Sequence, residues 1–279
     1  MISLAETRRI ASDRKTDPSV IERDYVLGWF LSGLFRDGPL SESLVLKGGT
    51  PLRKVYFPDY RFSEDLDFTL TQSISEDRFR RHLVETCQTL TQETGIEFVL
   101  AAFGKTRDEE GSEAYEGKVQ YIGPRQHRSG TPPRIKLDMT LYEILVLKPV
   151  SLPLIHPYSD KCEAIILTYC LEEILAEKLR ALLTRTRARD LYDVWNLLKH
   201  HRDKIQIQQV VSTFHRKRQY KSVPFKNWVN SLTPSRLVDF ERAWEASLAR
   251  QLRDLPKFGQ VRGDLEPMLK QLFSRTSED

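Results

Sequence analysis

Residues 61–70, RFSEDLDFTL, set Glu64, Asp65 and Asp67 within four positions and then return to apolar chain. The alternation predicts a β-strand, and on a strand side chains two apart share a face. Asp65 and Asp67 should therefore project together while Leu66 and Phe68 enter a core. Two carboxylates held side by side repel each other unless a cation sits between them. Hard oxygen ligands of this kind suit Mg²⁺ or Mn²⁺, and Mg²⁺ is commonly held by one or two carboxylates plus the phosphates of a nucleotide. An isolated D-x-D is common on the wet face of a strand, so its neighbours decide the reading.

Upstream, SLVLKGGT (43–50) reads as a short strand that ends in a turn, and PLRKVYF (51–57) as the start of a helix. Gly48 and Gly49 would let the backbone approach a phosphate and expose N–H groups as an anion nest, with Lys47 and Thr50 flanking them. Downstream, RIKLDMTL (134–141) alternates cleanly. Ile135, Leu137, Met139 and Leu141 face one way and Lys136, Asp138 and Thr140 the other. Asp138 could add a third oxygen, enough to hold two metal ions about 3.5–4 Å apart for an in-line phosphoryl displacement.

The remaining chain reads as α+β. Asp17 and Pro18 cap an amphipathic helix over 17–35, and Ser75 and Gly95 bound a second one. Strands are expected at 96–102 and 115–122, with turn-rich loops at 104–114 and 123–133 and a proline-bearing linker at 148–161. Beyond it, helical spacing recurs at 171–184, 190–201, 205–218, 235–252 and 262–273. The layout is a mixed sheet with flanking helices over 1–160, followed by a helical bundle over 161–279.

Of 279 residues, 40% are hydrophobic and 29% charged, a globular composition. No stretch reaches the roughly 18 apolar residues of a membrane span, and the N-terminus lacks the apolar region of a signal peptide, so a cytoplasmic chain without membrane contact is expected. The three cysteines have neither disulfide nor zinc spacing. The net charge of +4 conceals an asymmetry, because residues 178–279 carry 21 Lys+Arg against 11 Asp+Glu while residues 1–177 carry 22 against 28. A basic second half suits a polyanionic partner, with Arg185, Arg187, Arg189 and HRKRQYK (215–221) as candidate contacts.

In CLEEILAEKLRALLTRTRARDLYDVWNLL (170–198), Lys178 lies mid-helix, and Asp190 and Asp193, three apart, fall on one side of the next helix. A lysine beside carboxylates can clamp a triphosphate, since a compact ammonium meets phosphate oxygens as a point charge.

Strand, Gly-Gly turn, helix and then Asp-hydrophobic-Asp-hydrophobic is the order of the nucleotidyltransferase superfamily that includes DNA polymerase β. The separation of Gly49 from Asp65 is longer than in most members. VIERDYVLGWFL (20–31), LKGGTPLRKVY (46–56), RFSEDLDFTL (61–70), IKLDMT (135–140), EEILAEKLRALL (172–183) and RARDLYDVWNLL (187–198) run in the order of the AbiEii/AbiGii toxin family, which includes the MenT toxins. The chain resembles that family over about residues 15–200.

The resemblance implies a nucleotidyltransferase catalytic domain over 1–160 and a helical domain over 161–279 that completes the active-site cleft and contacts the acceptor. It implies a toxin of a toxin–antitoxin pair, acting in phage defence. The toxin would move a nucleoside monophosphate from an NTP to an acceptor, with tRNA 3′ ends the acceptor known for some members, and so block translation. Asp65 and Asp67 match the metal-binding carboxylates, Lys178 the essential lysine, and Asp193 the essential aspartate of the R-D-x-Y-D motif, as a base or as the residue that orients Lys178. Ser63 matches the hydroxyl that certain antitoxins phosphorylate. Lys47, Gly48, Gly49, Thr50, Ser63, Lys178 and Asp190 would bind the nucleotide, Asp138 would join the metal, and Arg185, Arg187 and Arg189 would meet the acceptor. The expected partners are tRNA or another RNA and a cognate antitoxin, for a monomeric enzyme. A protein or small-molecule acceptor, or an NTP-responsive binding protein without turnover, are the alternatives.

Overall fold

The alternation around the paired aspartates is realised: Leu66 and Phe68 are fully buried, while Asp65 and Asp67 are half-buried on the other face. The computed structural model describes residues 1–36, 38–108, 111–127 and 129–274. Its chain forms two compact units, a sheet unit of Met1–Glu143 with Pro149–Thr168 and a helical unit of Ile144–Lys148 with Tyr169 onward.

In the sheet unit, α1 (Leu4–Asp13), α2 (Pro18–Leu34) and α3 (Pro39–Ser43) lead into β1 (Leu44–Lys47). Then come β2 (Asp65–Leu70), α4 (Glu76–Thr94), β3 (Glu97–Arg107), β4 (Glu113–Ile122), β5 (Arg134–Thr140), β6 (Val150–Pro153) and β7 (Ile165–Thr168). The seven strands form one mixed sheet in the order β3-β4-β5-β2-β1-β7-β6. β2 lies antiparallel to β1 and parallel to β5, which puts both acidic strands at the centre. Phe30 and Leu31 of α2, Leu83 and Leu90 of α4, and Leu66, Phe68, Ile135 and Leu137 of the central strands share one core. The polar side chains of β2 and β5 are thereby left to the opposite face.

Local signals set several boundaries. Asp17 caps α2, accepting from the Ser19 amide at 2.7 Å, with Pro18 in the first turn. Gly95 ends α4 in the left-handed region at φ 73°, although Ser75 makes no capping hydrogen bond.

Other expectations are corrected. The segment 17–35 is helical but not amphipathic: eleven residues of α2 are buried, Glu22 and Asp24 among them, because polar partners as well as core pack around it. The expected linker at 148–161 contains β6, and β7 follows in a region read as all helical. Both strands have four residues, too short for periodicity to register, and they form by pairing with each other, with β7 also joined to β1 at Leu46. Pro153 is tolerated because β6 is an edge strand. Much of the loop expected at 104–114 is strand, since β3 and β4 pair as far as Arg107 and Glu113. That end of the hairpin is largely exposed and so carries no apolar alternation; Glu109 and Glu110 lie outside the described residues.

In the helical unit, α5 (Leu171–Thr184), α6 (Ala188–His200), α7 (Ile207–Tyr220), α8 (Trp228–Ser231), α9 (Pro234–Leu248) and α10 (Phe258–Ser274) follow in sequence. Phe214, Phe225, Trp228 and Phe273 pack ring against ring at 5.1–5.9 Å and bring α7, α8 and α10 together. No helix among the described residues is long and apolar enough to cross a membrane.

Candidate active site

The turn after β1 is built around Asp67. Gly48 sits at φ +80°, a conformation that favours glycine, and a Cβ there would overlap the Asp67 carboxylate. A Cβ on Gly49 would come within 2.7 Å of the buried Arg61 guanidinium. The glycines thus let the backbone approach a carboxylate on one side and a guanidinium on the other. Thr50, fully buried, donates to the Asp65 carbonyl at 2.6 Å and lies 2.9 Å from Ser63 Oγ, which ties the turn to the start of β2. Lys47 is opposite Asp67 in the register, but its ammonium donates to Thr140 at 3.1 Å and approaches Glu143 at 4.0 Å.

The chain between Gly49 and Asp65 is pinned rather than loose. Residues 52–56 form a π-helical turn, and Lys54 within it is buried with its ammonium 2.9 Å from Asp24 of α2. Asp24 also accepts from the Tyr158 hydroxyl at 2.6 Å, with Arg53 Nε at 3.5 Å. Burial opposes ionisation of Asp24, but Lys54 and Arg53 outweigh it and hold its carboxyl at about 2. Arg53 donates to the Pro58 and Tyr60 carbonyls and stacks 4.2 Å over Phe62. Composition around 51–62 suggested only a turn and a helix start; the roles of Asp24, Arg53, Lys54 and Arg61 rest on partners distant in sequence.

Asp138 is brought beside Asp67, its register partner across β2 and β5. Its carboxylate is engaged by Lys136 at 2.8 Å. Among the described residues no three His, Cys, Asp or Glu side chains converge to hold a metal on their own. The donor set nonetheless fits a hard divalent cation whose remaining ligands come from a nucleotide: two carboxylates share a strand face, and the backbone beside one of them is stripped of any Cβ.

A second charged cluster forms within the helical unit. Lys178 of α5 places Nζ 2.6 Å from Asp190 and 3.0 Å from Asp193, both on α6 and both buried. The three-residue spacing of the aspartates on one helix face makes this possible. Arg185 holds the other oxygen of Asp190 at 2.8 Å. Burial works against the Asp190 carboxylate, yet Lys178 and Arg185 hold its pKa well below the usual range.

Of the arginines proposed for the acceptor, Arg187 is exposed and Arg189 half-buried, while Arg185 is half-buried and paired with Asp190. Lys217, read as part of a basic surface, is fully buried. It binds Glu173 at 2.9 Å, Glu177 at 3.2 Å and the Ile144 carbonyl at 3.1 Å. Charge spacing alone does not separate such a lysine from an exposed neighbour like Arg216.

The sequence profile of the family described as "Nucleotidyl transferase AbiEii toxin, Type IV TA system" matches residues 29–273. No curated protein matches the chain. Among solved structures, MenT4, a nucleotidyltransferase toxin from Mycobacterium tuberculosis H37Rv, superposes with a TM-score of 0.67 at 21% identity, over 100% of this chain and 91% of that one. The likeness is one of fold, and the family match spans most of the sequence. The chain belongs to the AbiEii family of nucleotidyltransferase toxins of type IV toxin–antitoxin systems.

Proposed function

We propose that this nucleotidyltransferase moves a nucleoside monophosphate from an NTP to the 3′ end of tRNA, that it depends on Mg²⁺ or Mn²⁺, and that the product stops translation. The observation that carries the reading is the Gly48 turn pressed against Asp67, with Asp65 on the same strand face. In this reaction an acceptor hydroxyl forms a new bond to the α-phosphorus, its proton is lost, and pyrophosphate leaves. Asp65 and Asp67 would hold the metal, with Asp138 as a further ligand; when bound, the ion supplies charge neutralisation for the phosphoryl oxygens.

The chain's own groups do the rest by positioning. Amides of Gly48, Gly49 and Thr50 receive phosphate oxygens, and Lys178 holds triphosphate charge. Asp193 and Asp190 keep the Lys178 ammonium oriented, with a base at Asp193 as the alternative role of that residue. The excess of positive charge beyond residue 178, with exposed Arg187 and Arg216 and the half-buried Arg189, supports an RNA backbone as the acceptor's binding feature. A tRNA-modifying toxin acts in the cytoplasm, and we assign the monomer as the working unit.

Ser63 is a control point on this reading. Its hydroxyl is 2.9 Å from Thr50 and two residues from Asp65. A phosphate there would add about −1.5 to −2 charge and compete for the metal. Ser63→Glu is accordingly expected to lose transfer activity.

The test is to incubate the protein with total tRNA, Mg²⁺ and each α-labelled NTP in turn, using Asp65→Ala as control. Label entering tRNA with the wild type alone supports the proposal and names the nucleotide. Label entering protein, or none while NTP binding persists, would replace it with another acceptor or with an effector-binding role.

A further inference from the structure

The polar face of the sheet continues beyond the paired aspartates. The register of β2, β5 and β4 sets Asp67 beside Asp138 and Asp138 beside Glu116; in the adjacent row Asp65 neighbours Lys136 and Lys136 neighbours Lys118. Lys136 Nζ lies 2.8 Å from Asp138 and 3.3 Å from Glu116, and Glu116 also holds Lys118 at 2.7 Å. A cation belonging to the chain therefore already neutralises the carboxylate next to Asp67. Lys136 and Asp138 are about two-fifths exposed, so the lysine can swing between carboxylates without disturbing the core.

We propose that Lys136 is a built-in counter-cation that competes with the divalent metal for Asp138, and that Glu116 is the seat onto which it moves when the metal enters. The inference rests on the reading of Asp65 and Asp67 as the metal-holding carboxylates. Without a metal, Asp65, Asp67 and Asp138 crowd like charges onto neighbouring strand positions, and Lys136 relieves the repulsion. With a metal present, an ammonium still bound to Asp138 blocks one oxygen and opposes the incoming charge. Glu116 already touches Lys136, so the lysine can yield Asp138 without losing every partner. Lys136 and Glu116 are thus positioning residues that set how tightly the site takes its ion.

The experiment is a Mn²⁺ titration of the full chain at a fixed concentration of a non-hydrolysable NTP analogue, read by the electron paramagnetic resonance signal of the free ion against the analogue alone. Lys136→Met is expected to tighten binding by about two- to fivefold and Glu116→Gln to weaken it by a similar factor, the scale of partly exposed ion pairs. A general field effect would change affinity in the same directions, so the deciding measurement is the Lys136→Met effect in an Asp138→Asn background, where it should vanish. Persistence of the full effect there, or no tightening by Lys136→Met alone, would overturn the proposal. Asp65→Asn separates the two levels of the argument. If it abolishes binding while Lys136→Met changes nothing, the counter-cation fails and the metal reading stands. If Asp65→Asn leaves binding intact, or the wild type takes up no Mn²⁺, both fail together.

Discussion

The sheet unit and the helical unit present their charged groups in opposite ways. Asp65 and Asp67 stand half-exposed on a strand face, whereas Lys178, Asp190 and Asp193 are buried against one another. A half-exposed carboxylate keeps part of its hydration and so costs less to fold than one buried outright. A buried lysine between two aspartates exchanges hydration for fixed partners, so its geometry is maintained only while all members are present. The first arrangement separates function from stability; the second ties them together.

The sharpest way to break this contrast is at Asp67. Asp67→Asn should reduce nucleotide transfer on the order of 10³-fold or more, since metal charge stabilisation is worth several kcal/mol, while leaving the unfolding free energy within about 1 kcal/mol. Loss of stability comparable to the loss of activity would show that the sheet face is structural. Lys178→Met removes the ammonium shared by two buried carboxylates, of which Asp190 keeps Arg185, and should lower the unfolding free energy by about 3–5 kcal/mol. Chemical denaturation measures this, and a change below about 1 kcal/mol would remove the distinction between the units.

Acid should act on both units with the same sign. The Asp24 carboxyl is depressed to about 2 in the folded chain, so its contribution is present above the ordinary carboxylate range and is lost as pH falls from about 4 toward 2. About 2 kcal/mol is at stake at that residue. Asp190, also depressed, adds a loss in the same direction. Unfolding free energy measured against pH should therefore fall steeply below pH 4, and more gently in Asp24→Asn. A wild-type profile flat to pH 2 would contradict the buried pairing.

A matched pair of substitutions isolates the glycine turn. Gly48 and Gly95 both have positive φ, but a Cβ at Gly95 meets nothing within 4 Å while one at Gly48 overlaps Asp67. Gly48→Ala and Gly95→Ala should each cost about 1–2 kcal/mol of backbone strain. Transfer activity should drop only in Gly48→Ala; equal activity in the two variants would argue against close approach at Asp67.

Much of the fold was legible because periodicity is a local property. The strands around Asp65 and Asp138, the helix from Pro18 and the helix ending at Gly95 all follow from alternation or capping chemistry. β6 and β7 were not, since four residues are too few for a period and their pairing lies in other parts of the chain. The candidate site divides similarly. Asp65 and Asp67 were marked by spacing and Lys178 and Asp193 by resemblance, but the engagement of Asp138 with Lys136 and of Arg185 with Asp190 depends on which side chains meet after folding.

Buried lysines show the division most plainly. Lys54, Lys178 and Lys217 have the same chemistry in sequence as any solvated lysine, yet each is buried against carboxylates. The sequence by itself determined the strand that pairs Asp65 with Asp67, the glycines upstream and the helical second half, because these depend on neighbours a few residues away. Only the tertiary structure decided which cations stay at the surface and which are buried against carboxylates, because burial and ion pairing are set by groups far apart in the chain.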